Sequence, residues 1–306
     1  MSDRVAVIIP SYNHAHLLSN ALDSTFAQTV QPHEVIVIDD GSRDDPGEVT
    51  RRYPGVKLLR QENQGLAGAR NTGVRAADSD KYVFLDADDR MKPDAIERNL
   101  ALFEARPECG MVYGSYSLVF TQTGEERPMT VRAPGPDPYA DLLRGNHIAM
   151  LSAVMFSRQA LDKVAAYDPS LRACEDYDLY LRLTQHFPVA CHPAVITEYV
   201  RHDANMSRDS GMMMRASLGV LRKQRRIVEQ RPEWLAAFHE GEAFWKRFYT
   251  DQWISFVRQT SSAAEALQLL SEAWVILRLS PTALPSAVLR RVRELHPFRE
   301  RRRAAA

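Results

Sequence analysis

The chain has 306 residues, 45% hydrophobic and 25% charged, which suffices for one large α/β domain or two domains around a real core and excludes a disordered or fibrous chain. Lysine plus arginine balance aspartate plus glutamate at 39 each, so the total charge points to no polyanionic partner; three cysteines, Cys109, Cys174 and Cys191, lack the number and spacing of a disulfide framework or a zinc site. The charge is uneven, however: residues 211–306 hold 17 basic and 9 acidic side chains, and residues 1–210 hold 22 and 30.

Met1-Ser2-Asp3-Arg4 leads into a short apolar run that Pro10 ends, too brief for a signal peptide, and no apolar segment is long enough to span a bilayer, so a reducing cytoplasm is expected. Val5 to Ile9 and Val35 to Ile38 are continuously apolar, as strands buried on both faces are, and Leu17, Leu18, Ala21, Leu22 and Phe26 recur between them at helical spacing. That pattern predicts a βαβ unit. It continues with a helix over 47–53, a strand over 56–59, a helix over 66–77, a strand over 82–85 and a helix starting near Pro93. Such alternation predicts a doubly wound sheet that binds ligands beyond the carboxyl ends of its strands. From Gly110 the pattern changes to a strand over 111–120, an irregular loop over 128–138, a strand over 150–156, a helix from Glu175-Asp176 through Leu183 and a last strand over 194–200, which reads as a mixed sheet edge. After Gly211 the chain turns helical, with Trp234, Phe238, Trp245 and Trp274 expected in a core.

The most distinctive stretch is Phe84-Leu85-Asp86-Ala87-Asp88-Asp89, an apolar run ending in three carboxylates within four residues. At a strand end it would release those carboxylates into a cleft, where oxygen ligands suit Mg²⁺ or Mn²⁺; alone, such a cluster equally serves turns and helix caps. The first strand ends in Pro10-Ser11-Tyr12-Asn13 and the second in Asp39-Asp40-Gly41-Ser42. Parallel neighbours bring these loops together, so a base can lie against Tyr12 while Asp39 or Asp40 accepts a hydrogen bond from a uracil N–H or a ribose hydroxyl. A plain turn at Asp40-Gly41-Ser42 and a helix cap at Asn13 are the structural alternatives. From Asn63 to Asn71, Gly65, Gly68 and two alanines open a helix with Arg70 one turn in, which serves either an anion at a helix N-terminus or close packing of that helix on the sheet.

In this order and spacing, Val7 to Asn13, Val37 to Ser42, Asn63-Gln64-Gly65 with Ala69-Arg70-Asn71, and Phe84 to Asp89 resemble the family 2 glycosyltransferases of the GT-A fold, inverting enzymes that use nucleotide-activated sugars, commonly UDP-sugars. The resemblance covers residues 4 to about 208. It implies a GT-A type doubly wound mixed sheet over residues 1–210, with a Rossmann-like nucleotide-sugar-binding half (1–105) and an acceptor-side half (106–210), followed by a C-terminal helical region (211–306). It implies a donor site of Pro10, Ser11, Tyr12, Asn13, Asp39, Asp40, Asn63, Gly65, Arg70, Asp86, Ala87 and Asp88. Within it Asp39 and Arg70 contact the nucleotide, Asp86 the ribose or donor sugar, and Asp88 a divalent Mg²⁺ or Mn²⁺.

Cys174-Glu175-Asp176-Tyr177-Asp178-Leu179 resembles the family's acceptor-side Glu-Asp motif, which makes Asp176 the catalytic base and puts Glu175 on the acceptor side. Inversion at an anomeric carbon needs such a base in any case. Three acids favouring a helix N-terminus through its dipole is the plainer alternative. His202, after Arg201, is a candidate ligand of the metal or diphosphate, and His147 either lines the acceptor side or caps a loop.

The expected function is transfer from a nucleotide-sugar to a saccharide or lipid-linked acceptor in polysaccharide or glycolipid biosynthesis. A nucleotidyltransferase would need a Gly-rich basic loop after the first strand, which Pro10-Ser11-Tyr12-Asn13 is not; a degenerate nucleotide-sugar-binding scaffold would have lost Asp88 or Asp176, and both are present. No nucleic-acid motif is found. Val288 to Leu295 and the arginines up to Arg303 combine an apolar stripe with basic clusters, the pattern of peripheral contact with the inner face of a membrane; a solvated helix end is the alternative.

Overall fold

Val5 to Ile9 is apolar on both faces and every one of its residues is buried, the setting of a strand with neighbours on both sides and layers above and below. The computed structural model describes residues 3–201, 209–259 and 263–281. Its β1 (Val5–Ser11) pairs in parallel with β2 (Glu34–Asp39) and with β4 (Lys81–Phe84), and β2 pairs in parallel with β3 (Val56–Arg60). Parallel neighbours require crossovers. These are α1 (Ala15–Phe26), α2 (Pro46–Thr50) and α3 (Gly65–Ala76).

The direction then reverses. After β5 (Arg90–Met91), α4 (Ala95–Ala105), β6 (Met111–Phe120), β7 (Glu126–Met129) and α5 (Pro138–Arg144), the chain enters β8 (Val154–Ser157), which pairs antiparallel with β4 through Lys81↔Ser157, Tyr82↔Phe156 and Val83↔Met155. Next come α6 (Arg158–Lys163), α7 (Glu175–Thr184) and β9 (Val189–Arg201), which lies parallel to β6. Among the described residues the sheet runs β3-β2-β1-β4-β8-β6-β9-β5, with β7 beside β6.

One face of this sheet supplies a single apolar cluster that includes Val7, Ile9, Val37, Val83, Val112 and Met155, so the parallel and antiparallel parts share a core. Each such buried side chain contributes roughly 1.5–3 kcal/mol. On the other face α3 lies close to β1: a Cβ on Gly73 would come within 2.4 Å of Ile8 Cγ2.

Several boundaries differ from expectation. The loop over 128–138 overlaps β7, which pairs with β6 although all four of its residues are exposed. The strand expected from Met150 begins only at Val154, because Leu151–Ala153 turns as a 3₁₀ helix. The final strand starts five residues earlier than expected and is 13 residues long.

The chain divides into two compact units, residues 1–142 with 146–205 and residues 143–145 with 206–306. The second contains α8 (Ser210–Lys223), α9 (Arg225–Val228), α10 (Pro232–Gln259) and α11 (Ala263–Leu279). Phe238 and Trp245 are buried there, with Trp245 stacked on Tyr249 at 5.4 Å. Trp274, expected in the core, is instead 70% exposed, because its turn of α11 faces outward. Among the described residues no helix is long and apolar enough to cross a membrane.

Candidate functional site

β1 and β2 end level with each other, Ser11 opposite Asp39, and the Asp40 N–H donates to the Ser11 carbonyl at 2.9 Å. Tyr12-Asn13 and Asp40-Gly41-Ser42 therefore leave the sheet side by side. Asn13 is left-handed at φ 57 and is locked there: its N–H donates to Ser42 Oγ (3.0 Å) and its Oδ1 accepts from the Arg43 N–H (2.9 Å). Asp39 is buried, accepting from the Ser42 N–H at 2.8 Å with its other oxygen 3.3 Å from Arg60 Nε. Tyr12 stands 46% exposed beside them, while Pro10 and Ser11 are buried in the strand.

Asp40 does something the sequence reading did not foresee. Its Oδ1 accepts from Gln61 Nε2 (2.7 Å) and the Gln64 N–H (2.8 Å), and its Oδ2 from the Gly65 N–H (2.8 Å), so it caps α3 from a distant loop. Expected on the nucleotide, this carboxylate also holds the helix start. Gly41 makes the approach possible: it sits at φ 81, and a Cβ there would lie 3.1 Å from the Asn63 N. Pro10, Ser11, Tyr12, Asn13, Asp39, Asp40, Asn63 and Gly65 are thus gathered at one end of the sheet.

Arg70 is buried in α3, 2% exposed, and bridges two distant carboxylates. Its Nη2 donates to Asp86 Oδ1 at 2.7 Å, and its Nη1 donates to Glu175 Oε1 at the start of α7. The guanidinium also lies 5.5 Å from the centre of the Tyr167 ring. Arg70, expected on the nucleotide, is enclosed between these partners, which supply the paired acceptors that a desolvated guanidinium demands. Sequence reasoning missed Tyr167: it carries no periodic signal and follows Ala165-Ala166 in what reads as a plain loop.

Asp176 follows Glu175 and is half-buried, its Oδ1 accepting from the Tyr177 N–H at 2.7 Å. Burial and the neighbouring Glu175 carboxylate push its own carboxyl up to about 7. Cys174, just before α7, is left-handed at φ 59.

Beyond β4, Asp86 is one-third exposed, Ala87 is buried, Asp88 is half-buried, and Asp89 is buried with its Oδ1 accepting from the Val200 N–H at 3.0 Å. Burial, and then the charges of Asp88 and Asp86, hold the Asp89 carboxyl well above the usual carboxylate range. Among the described residues no three His, Cys, Asp or Glu side chains converge as a metal-binding group. The donor chemistry nevertheless fits Mg²⁺ or Mn²⁺, hard cations that are commonly held by one or two carboxylates, with phosphate and water completing the shell. His202 lies outside the described residues. His147 is half-buried with its Nε2 3.4 Å from the Tyr113 hydroxyl, which donates to the Arg132 carbonyl at 3.1 Å.

Residues 6–165 match the family model described as Glycosyl transferase family 2. A putative teichuronic acid biosynthesis glycosyltransferase of Bacillus subtilis is 26% identical over 79% of this chain and 97% of its own length. The chain spans 62% of an uncharacterized glycosyltransferase of Haemophilus influenzae (29% identical over 59% of this chain) and 54% of another from a Nostoc species (32% over 54%). Two solved structures share the fold: Staphylococcus aureus TarS 1-349 in complex with UDP-GlcNAc (TM-score 0.61, 16% identity, 93% of this chain and 83% of that one) and the mannosyltransferase PcManGT of Pyrobaculum calidifontis in complex with GDP-Man and Mn²⁺ (TM-score 0.62, 20%, 97% and 88%).

Proposed function

The chain belongs to glycosyltransferase family 2, and from that premise we propose that it moves a hexose or N-acetylhexosamine from a UDP-sugar to an acceptor hydroxyl with inversion at the anomeric carbon. The Arg70 bridge carries this reading. One buried guanidinium ties Asp86, in the acidic loop suited to a donor diphosphate, to Glu175, next to Asp176, whose carboxyl burial and Glu175 push up to about 7. Donor chemistry and a general base thus belong to one cluster.

In the transfer, the acceptor oxygen bonds to the anomeric carbon as that carbon's bond to the phosphate oxygen breaks. The acceptor proton passes to Asp176, and the nucleoside diphosphate leaves with the bonding electrons. Tyr12 flanks the base, and Asp39 accepts from the nucleoside. Pro10, Ser11, Asn13, Asn63, Gly65 and Ala87 shape the floor around them, with Asp86 toward the ribose or sugar. Asp40 and Arg70 belong to the donor site too, Arg70 toward the nucleotide, while one also fixes α3 and the other fixes Asp86 and Glu175. Asp88 would hold Mg²⁺ or Mn²⁺, which when bound would supply positive charge to offset the negative charge developing on the leaving group. His202 is a second candidate ligand, and Glu175 and His147 belong to the acceptor side.

The name of the Bacillus relative, and that of an Escherichia coli chondroitin synthase 27% identical over 66% of this chain and 30% of its own length, support a role in polysaccharide or glycolipid assembly. On this reading residues 1–210 form the catalytic domain and 211–306 a helical region whose basic tail meets the inner face of a membrane; the tail lies outside the described residues.

The test is a thermal-shift screen of UDP-, GDP- and dTDP-sugars with and without Mn²⁺. A site occupied at a hundred times its Kd adds about 2.7 kcal/mol of apparent stability. Metal-dependent stabilisation by one nucleotide class, lost in Asp88→Ala, is expected. If no donor shifts the melting temperature, the site has either lost donor binding or is completed only by acceptor or membrane.

A further inference from the structure

Arg182, one turn after Asp178 on α7, uses each arm of its guanidinium. Its Nε donates to Asp178 Oδ2 at 2.7 Å, and that carboxylate is fully buried. Its Nη1 and Nη2 donate to the carbonyls of Val164 and Ala166 at 2.5 and 2.7 Å. Those carbonyls flank a strained turn: Ala165 and Ala166 are both left-handed, at φ 56 and 49, where a side chain is disfavoured and glycine is the usual occupant. Consecutive non-glycine residues persist there only when the surroundings over-determine them. The planar fork of Arg182 satisfies both carbonyls at once, and Asp178 fixes the fork.

The residue after the turn is Tyr167. Its backbone is clamped by one side chain of α3, Asn71, whose Oδ1 accepts from the Tyr167 N–H (3.0 Å) and whose Nδ2 donates to the Tyr167 carbonyl (2.8 Å). Its ring packs against the Arg70 guanidinium and, edge-on at 5.1 Å, against Phe84 of β4. An unbroken path therefore runs from Asp178 through Arg182 and the turn to Tyr167, and on to the guanidinium that bridges Asp86 and Glu175.

We infer that Arg182 is a positioning residue for sugar transfer: by latching the left-handed turn at residues 164–166 it seats Tyr167 against Arg70 and keeps the Asp86–Arg70–Glu175 bridge in register with Asp176. The inference rests on the reading of Asp176 as the base. Arg182 touches neither donor nor acceptor in this scheme, so its loss acts on the chemical step while the β1 and β2 loops keep the nucleotide.

The test compares the full chain with Arg182→Met, Arg182→Lys and Arg182→Met carrying Ala165→Gly and Ala166→Gly. UDP-N-acetylglucosamine and GDP-mannose with Mn²⁺ are the probes, and water stands in for the acceptor. In Arg182→Met the Tyr167 amide is expected to exchange at least about tenfold faster. Its kcat for donor hydrolysis should fall about 10- to 100-fold with donor Kd unchanged, the signature of an interaction that serves the transition state. Arg182→Lys, a single-point donor, should lie between; it supplies the same readouts if Arg182→Met does not fold. The two glycines adopt positive φ without a latch and should recover most of the lost kcat.

Unchanged exchange at Tyr167, or a kcat loss that the glycines leave in place, overturns the latch. Exchange is read without turnover, so a wild-type chain that binds neither donor counts against the proposed UDP-sugar donor while the latch is still decided by its own measurement.

Discussion

On the proposed mechanism Asp176 is the base, and burial first and Glu175 second bring its carboxyl up to about 7. Only the carboxylate accepts a proton, so kcat should rise with pH through the neighbourhood of 7 and level off above it. Asp176→Asn should lower kcat by about 10²–10⁴-fold while leaving donor affinity in place, as a rate assay beside calorimetry would establish. If that variant transfers normally, the base lies elsewhere. Stability should move the other way. A folded pKa above the unfolded value gives stability that is fully present below the unfolded pKa and is lost as pH rises through the folded one. Asp176→Asn should therefore melt above the wild type at pH 8, with the gap closing toward pH 5. The Arg70 bridge was illegible in the sequence for a plain reason: Arg70 and Glu175 are 105 positions apart, and residue type alone does not say which carboxylate a guanidinium will meet.

α3 is placed by contacts at both ends, and each can be tested. At its start Asp40, from the loop after the neighbouring strand β2, serves two backbone N–H groups, so Asp40→Ala should cost about 0.5–2 kcal/mol, the range of a lost helix cap. Near its end the 2.4 Å approach between a Cβ on Gly73 and Ile8 Cγ2 means that Gly73→Ala overpacks the contact with β1 and should cost about 1–3 kcal/mol. Urea unfolding measures both; a Gly73→Ala chain as stable as wild type would mean the helix has room to spare. Gly73 lies beyond the 63–71 stretch of small residues, where a Cβ on Gly65 would meet nothing within 4 Å and one on Gly68 would first meet Gln64. Elements with a long apolar signature, such as β1, β2, β6 and α7, were legible in the sequence because burial dictates their composition. β5 spans two residues and β7 is exposed throughout, so neither leaves a periodic trace. Met150 to Ala153 shows the converse, an apolar run whose burial is real and whose conformation is a turn.

Across the whole molecule the fold class and the family were readable because four motifs recur in order at the ends of predicted strands, whereas the antiparallel placement of β8 beside β4 was not, since short apolar strands carry no mark of direction. That pairing is reinforced by Phe156, which is fully buried, meets Phe84 at 5.7 Å and stacks on Tyr180 of α7 at 6.2 Å. Phe156→Ala removes one side chain from three elements at once and should cost about 3–5 kcal/mol in equilibrium unfolding; a loss below 1 kcal/mol would mean the two halves hold together without it. The reversal between β4 and β8 also has a practical side. The parallel and antiparallel parts meet there through three β4–β8 pairs, with two further pairs between β5 and β9 and the shared apolar cluster. A working chimera with the second half of another protein of the same fold has to keep both ladders, repack that cluster and supply its own carboxylate opposite Arg70, so the graft is chosen on strand register, core packing and one acidic residue.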